Sequence, residues 1–178
     1  MTNYRETTMK SKIYTEILYI RNLLINCNVD SNNGFLLNKS NKRIGGIDKT
    51  SGYRRCSSTI NGKRRKILEH RVIFFKENGY LPEIIDHING NRSDNRIENL
   101  REATNSQNCI NSKARKSNVC GYKNIDFLKR LNKWRVQISI NGYKKHIGVF
   151  SNLQDAVYSR NYHLIKNFKN FSPKLTII

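Results

Sequence analysis

Between residues 13 and 27 (IYTEILYIRNLLINC) apolar side chains return at helical spacing through Ile13, Ile17 and Leu24, with Leu18 and Ile20 beside them. The pattern predicts an amphipathic helix packed on a core; at that length, interrupted by Glu16 and Arg21, it is too short to span a bilayer. Short apolar runs at 34–37, 53–60 and 65–68 follow, separated by Gly45-Gly46, Ser51-Gly52 and Asn61-Gly62. Such punctuation predicts β-hairpins, and Asn-Gly is its strongest form because both residues accept positive φ. Residues 69–78 (EHRVIFFKEN) read as a helix, with Gly79 as its stop and Pro82 just beyond.

The pattern then changes. Ile84 and Ile85 deliver a strand into Asp86-His87, a polar loop runs from Asn89 to Arg96, and residues 97–103 form a returning strand. Thr104-Asn105-Ser106-Gln107 is a capping box, which puts Asn108 in the first turn of a new helix. Further on, KWRVQISI at 133–140 alternates with period two, Asn141-Gly142 offers a tight turn, and YKKHIGVF at 143–150 can return antiparallel. Residues 151–168 close as an amphipathic helix carrying Leu153, Val157, Leu164 and Phe168.

Charge adds a partner to this outline. The chain has 178 residues, 33 Lys+Arg against 13 Asp+Glu, and a formal net charge of +20. Residues 1–112 hold 19 of the bases and 11 of the acids, while residues 113–178 hold 14 and 2. A polyanion is the expected partner, and the basic run KARKSN at 113–118 reads as a linker. No obligate protein partner is implied; a monomer or weak dimer is expected. The first twelve residues are polar and no cleavage site follows a hydrophobic run, so the expectation is an intracellular, non-secreted protein without membrane attachment. Cys27, Cys56, Cys109 and Cys120 form no C-x-x-C pair, and reduced structural thiols are expected.

Chemistry is concentrated in DHINGNRSDNRIENLREATNSQN. Strand, loop, strand and helix can bring Asp86 and His87 towards Asn108. Asp and Asn are hard oxygen donors suited to Mg²⁺ beside a phosphate, and an imidazole with a pKa near ~6.5 can take a proton from water at neutral pH. On spacing alone a loop histidine is more often a bystander.

The segment resembles the core of the HNH (His-Me finger) endonucleases, in particular the HNN branch of homing-type nucleases found in phages, introns and large viruses. The resemblance implies His87 as general base, Asp86 and Asn108 as ligands of one divalent metal ion, Mg²⁺ with Mn²⁺ as the alternative, and Asn99 as the brace of the active-site loop. It extends upstream through GYRRCSSTINGKRRKILEHRVIFFKENGYLP at 52–82, where His70-Arg71 matches a His-Arg pair. His70 is read as a structural, helix-borne histidine, with contact to DNA or the active-site loop as the alternative, and Arg101 as either a phosphate contact or a solvated strand residue. Residues 118–168 are similar to the APETALA/ethylene-response-factor DNA-binding domain. That resemblance implies three antiparallel strands backed by a helix, with Tyr122, Lys123, Trp134, Arg135 and Lys144 as DNA contacts, and Gly148 and Phe150 at turn and anchor positions; Arg130 and Lys145 join the expected contacts as basic residues interleaved with the aromatics of the same sheet. Asn124 stands where relatives often carry glycine.

The expected fold class is α+β: N-terminal β-hairpins and a helix leading into a ββα-metal (HNH) core, then a three-stranded antiparallel sheet packed on one C-terminal helix. The expected division is a helical extension at 1–33, a nuclease domain at 34–112, the linker at 113–118, a DNA-binding domain at 119–170 and a tail at 171–178. The leading expectation is a metal-dependent, homing-type DNA endonuclease that nicks double-stranded DNA, in host cytoplasm or nucleus if viral. Its rivals are a non-enzymatic DNA-binding regulator with a relic HNH fold and an RNA-binding protein.

Overall fold

A computed structural model describes residues 2–112, 114 and 118–171. Most of the expected linker (113 and 115–117) and the expected tail from 172 lie outside the described residues. The chain forms two compact α+β units, Met1–Glu102 and Ala103–Ile178.

The first unit opens with α1 (Thr2–Asn26), which starts well before the apolar periodicity does. Its buried face carries Ile20 and Leu23, and Asn22 donates to Ser58 Oγ and Thr59 O at 3.0 Å each. Strands β1 (Cys27–Asp30) and β2 (Phe35–Asn38) form one antiparallel hairpin. Strands β3 (Gly46–Ile47), β4 (Arg54–Ile60) and β5 (Lys63–Leu68) form a second sheet. Asn61 and Gly62 join β4 to β5 with φ of 48° and 74°, the double positive φ that a two-residue type I′ turn requires. Helix α2 (Glu69–Asn78) follows at once and ends on left-handed Gly79, whose N–H reaches Phe75 O at 2.9 Å. Ile67, Val72, Ile73 and Phe74 of β5 and α2 pack with Leu36, Ile85 and Leu100 to form the core. The buried Arg71 ties α2 to α1 by donating to Glu16 Oε1 at 2.9 Å.

Strands β6 (Ile85–His87) and β7 (Leu100–Glu102) make the last hairpin of this unit. The returning strand is shorter than the 97–103 expected, because Ile97–Asn99 is a 3-10 turn. In the preceding loop the Asn and Asp side chains bond nearby backbone groups, which gives the chain an alternative to the strand ladder.

The second unit begins with α3 (Asn105–Asn111), started by the complete capping box: Thr104 Oγ1 accepts from Gln107 N at 3.3 Å and Gln107 Oε1 accepts from Thr104 N at 2.7 Å. Strands β8 (Ile125–Leu128), β9 (Lys133–Ile140) and β10 (Tyr143–Phe150) form an antiparallel sheet in the order β10-β9-β8, backed by α4 (Leu153–Phe168). Its core joins Ile125, Val136, Ile138, Val157, Leu164 and Phe168 with Ile110 of α3. Asn124 takes φ 71°, the left-handed conformation that asparagine tolerates where glycine would be free.

All four cysteines are free thiols. Burial pushes the Cys56 thiol up to about 12, so it is inert at neutral pH. No helix among the described residues is long and apolar enough to cross a membrane.

Candidate active site and its surroundings

The β6–β7 register sets Asp86 directly opposite Arg101 and His87 opposite Leu100. Arg101 donates to Asp86 Oδ2 from Nε at 2.9 Å and from Nη2 at 2.8 Å. Of the two roles open to Arg101 in the sequence, this geometry adds a third: it grips the carboxylate beside the histidine.

The loop between the strands is held by its own polar side chains. Asn99 Oδ1 accepts from Asn89 N at 3.0 Å, and Asn99 Nδ2 donates to Asn89 Oδ1 at 3.0 Å and to Asp94 O at 2.7 Å. Asp94 is bound by Arg96 through two 2.9 Å contacts, and that guanidinium holds its carboxyl at about 2. One product of this lacing is the position of Asn95, which is 1% exposed. Its Oδ1 lies 3.1 Å from His87 Nε2. An amide oxygen can only accept, so the His87 proton sits on Nε2 and Nδ1 keeps the lone pair. Asn95 is in turn backed by Gly34 at the β1–β2 turn. Gly34 has φ 72°, and a Cβ there would lie 2.5 Å from Arg96 N and 2.6 Å from Asn95 C. Only glycine permits that approach.

Around His87 stand two rings from earlier in the chain. His70 of α2 meets it edge to face with centroids 4.9 Å apart, and Tyr53 lies 5.9 Å from His87 and 5.4 Å from His70. Burial lowers the basicity of His87, partly offset by Asn95 and Asp86. Burial lowers that of His70 further, and His70 Nδ1 has no partner among the described residues. Both rings are therefore neutral at pH 7. In the unfolded chain each would bind a proton below about pH 6.5, which the folded chain resists. Stability should therefore fall as pH drops below ~6.5, by up to about 1.4 kcal/mol per pH unit for each histidine. Thermal melts from pH 7.5 to 5.5 read this slope, and His70→Phe should flatten it. Equal slopes in both proteins would refute this role for His70.

Asp86, His87 and Asn99 thus gather in the first unit, while Asn108 lies on α3 of the second, its N–H bonded to Thr104 O at 2.9 Å. For a metal, the first unit offers the buried carboxylate of Asp86. Among the described residues no three His, Cys, Asp or Glu are grouped so as to hold a metal ion. A single carboxylate is wrong for a closed zinc site but suits a hard ion that keeps most of its waters and takes one or two protein oxygens.

The expected DNA contacts of the second unit are divided by the sheet's pleat. In β9, Val136 and Ile138 face the helix, and Trp134 packs with them and with Tyr122 against the same core. Arg135 is on the opposite face, paired with Asp126 at 3.1 Å. Lys144 pairs in register with Ser139 and Lys145 with Ile138; both lysines and Arg130 are exposed. The Lys123 ammonium is bonded to Cys109 O and Ser112 Oγ.

Residues 68–109, which carry α2, the β6–β7 hairpin and the start of α3, match the family model described as HNH endonuclease. They form an HNH endonuclease domain. The chain is also similar to "Protein 3.8" of Escherichia phage T7, 35% identical over 79 residues that make up 43% of this chain and 64% of the relative, just under two thirds of its length. Among solved structures it is similar to one titled "DNA binding and cleavage by the HNH homing endonuclease I-HmuI", with 26% identity over 68% of this chain and 71% of the other, at a TM-score of 0.42. Within the HNH domain, sequence reasoning singled out Asp86, His87, Asn99 and Asn108 but passed over Asn95, and set His70 aside.

Proposed function

We propose that the protein is a metal-dependent DNA endonuclease of homing type that nicks double-stranded DNA. The observation that carries this reading is the state of His87 inside the HNH domain: buried, neutral, and held with its lone pair on Nδ1 next to a carboxylate. That imidazole is equipped to take a proton from a water attacking a phosphodiester. Asp86 and, by the resemblance, Asn108 would hold one divalent ion, Mg²⁺ or Mn²⁺. The bound ion would supply electrostatic stabilisation of the departing oxygen. Asn95 keeps the His87 proton on Nε2, Arg101 fixes the carboxylate of Asp86, and Asn99 keeps the loop that carries Asn95 in place. One such centre per chain makes a single-strand nick the primary product.

In this reading the second unit grips the duplex. The excess of 14 Lys+Arg over 2 Asp+Glu in residues 113–178 supports that role. Exposed Arg130, Lys144 and Lys145 are suited to phosphates, and Arg135 lies on the sheet face away from α4. The aromatic pair Tyr122 and Trp134 would then support the sheet from its helix side.

The test is incubation with supercoiled plasmid in Mg²⁺ or Mn²⁺, against an EDTA control. Open-circular DNA should accumulate only with metal. Plasmid left supercoiled with either ion overturns the reading.

A further inference from the structure

The sequence offered Arg101 as a phosphate contact, but Arg101 is engaged with Asp86 Oδ2. A different cation stands beside the base. Arg92 leaves the active-site loop with its guanidinium carbon 5.0 Å from the centre of the Tyr53 ring, the same ring that neighbours His87. Its Nη1 donates to the Ser51 carbonyl at 2.9 Å. Among the described residues no carboxylate pairs with it; the loop's own acid, Asp94, is taken by Arg96, and Asp48 by Arg55. Arg92 is exposed.

Exposed arginines with no purpose usually wander in solvent, because fixing so long a side chain costs rotamer entropy. This one is fixed by a neutral carbonyl and an aromatic face, two partners that orient a guanidinium without neutralising it. Only one of its five N–H donors is used by Ser51, and the fork geometry suits two oxygens of one phosphate.

We propose that Arg92 is the phosphate-binding arginine of this active site: Ser51 and Tyr53 aim its guanidinium so that it contacts a non-bridging oxygen of the DNA backbone next to His87. The inference rests on the endonuclease reading for its location, but the contact it asserts is to phosphate and can be measured without cleavage. Negative charge grows on the non-bridging oxygens as the nucleophile adds, so the contact strengthens in the transition state and acts on kcat as well as on binding.

The experiment compares wild type, Arg92→Gln and Arg92→Lys, each first checked for an unchanged melting temperature. Fluorescence anisotropy with a labelled duplex in EDTA gives Kd over a range of KCl concentrations, and single-turnover nicking in Mg²⁺ gives the rate. For Arg92→Gln the slope of log K against log salt should fall by about 0.9, the value for one phosphate contact. Its nicking rate should fall on the order of tenfold to a hundredfold, less than for a donor in a fully water-excluded site. Arg92→Lys should keep the slope, since charge is retained, and lose an intermediate share of rate with the fork. A slower Arg92→Gln with an unchanged salt slope overturns the proposal, because loosening of the loop alone would produce it. If wild type fails to nick but Arg92→Gln still reduces the slope, the phosphate contact stands and the endonuclease reading falls. If wild type nicks and the slope is unmoved, the reverse holds.

Discussion

His87→Ala is expected to reduce metal-dependent nicking by on the order of 10²–10⁴-fold, the usual worth of a general base, while metal-free DNA affinity stays within about twofold of wild type. The size follows from the lack of a substitute. His70, the nearest other imidazole, sits on the far side of an edge-to-face ring contact, is almost fully buried and is even less basic than His87. Affinity should survive because His87 is buried and neutral, so it contributes no charge to phosphate binding. Nicking within tenfold of wild type would remove His87 from the chemistry. The same assignment sets a pH profile. A base of ordinary pKa near ~6.5 would lose roughly fourfold of its active form between pH 8 and pH 6. Burial lowers the His87 value, so the neutral form persists further into acid and the loss from this group should be smaller.

Asn99→Ala should destabilise the first unit by about 2–4 kcal/mol and slow nicking along with it. Asn99 makes three side-chain hydrogen bonds, closing a reciprocal pair with Asn89 and holding the Asp94 carbonyl. Each is worth about 1 kcal/mol, and abandoned partners in a part-buried loop raise the cost. The rate falls because Asn95, next in the chain after Asp94, is what keeps the His87 proton on Nε2. Asn99→Asp separates the contributions. The carboxylate can still accept from Asn89 N, but it cannot donate and would face the Asn89 and Asp94 oxygens, so it should rescue little. Urea denaturation with parallel single-turnover rates measures both. Full stability in either variant would mean that the loop is held by something other than Asn99.

Local signals in the sequence carried much of this fold. The Asn-Gly turns, the Gly79 stop and the Thr104–Gln107 capping box each involve groups within a few residues of one another, and each formed where its chemistry required. The two-residue period of β9 already separated Trp134, Val136 and Ile138 from Lys133 and Arg135, and so held the information that the aromatic and basic residues of that strand lie on different faces. What escaped the sequence depends on register and packing. The Asp86–Arg101 ion pair exists because the loop length sets those residues opposite each other. Asn95 looked like one more loop asparagine, and its partner is eight positions away in sequence. His70 of α2 and Tyr53, just ahead of β4, reach His87 only through tertiary ring contacts; the His-Arg pair at 70–71 was the one local hint.

The turn at Gly34 bears on how this protein can be handled. Asn32 and Asn33 are exposed at a hairpin tip, which is where a fluorophore, epitope or circular-permutation break would ordinarily be placed. Here the next residue is wedged against the backbone that carries Asn95, so added bulk would be transmitted to the ring it orients. The tip at Asn61-Gly62, with nothing within 4 Å of the Gly62 Cβ position, is the safer handle.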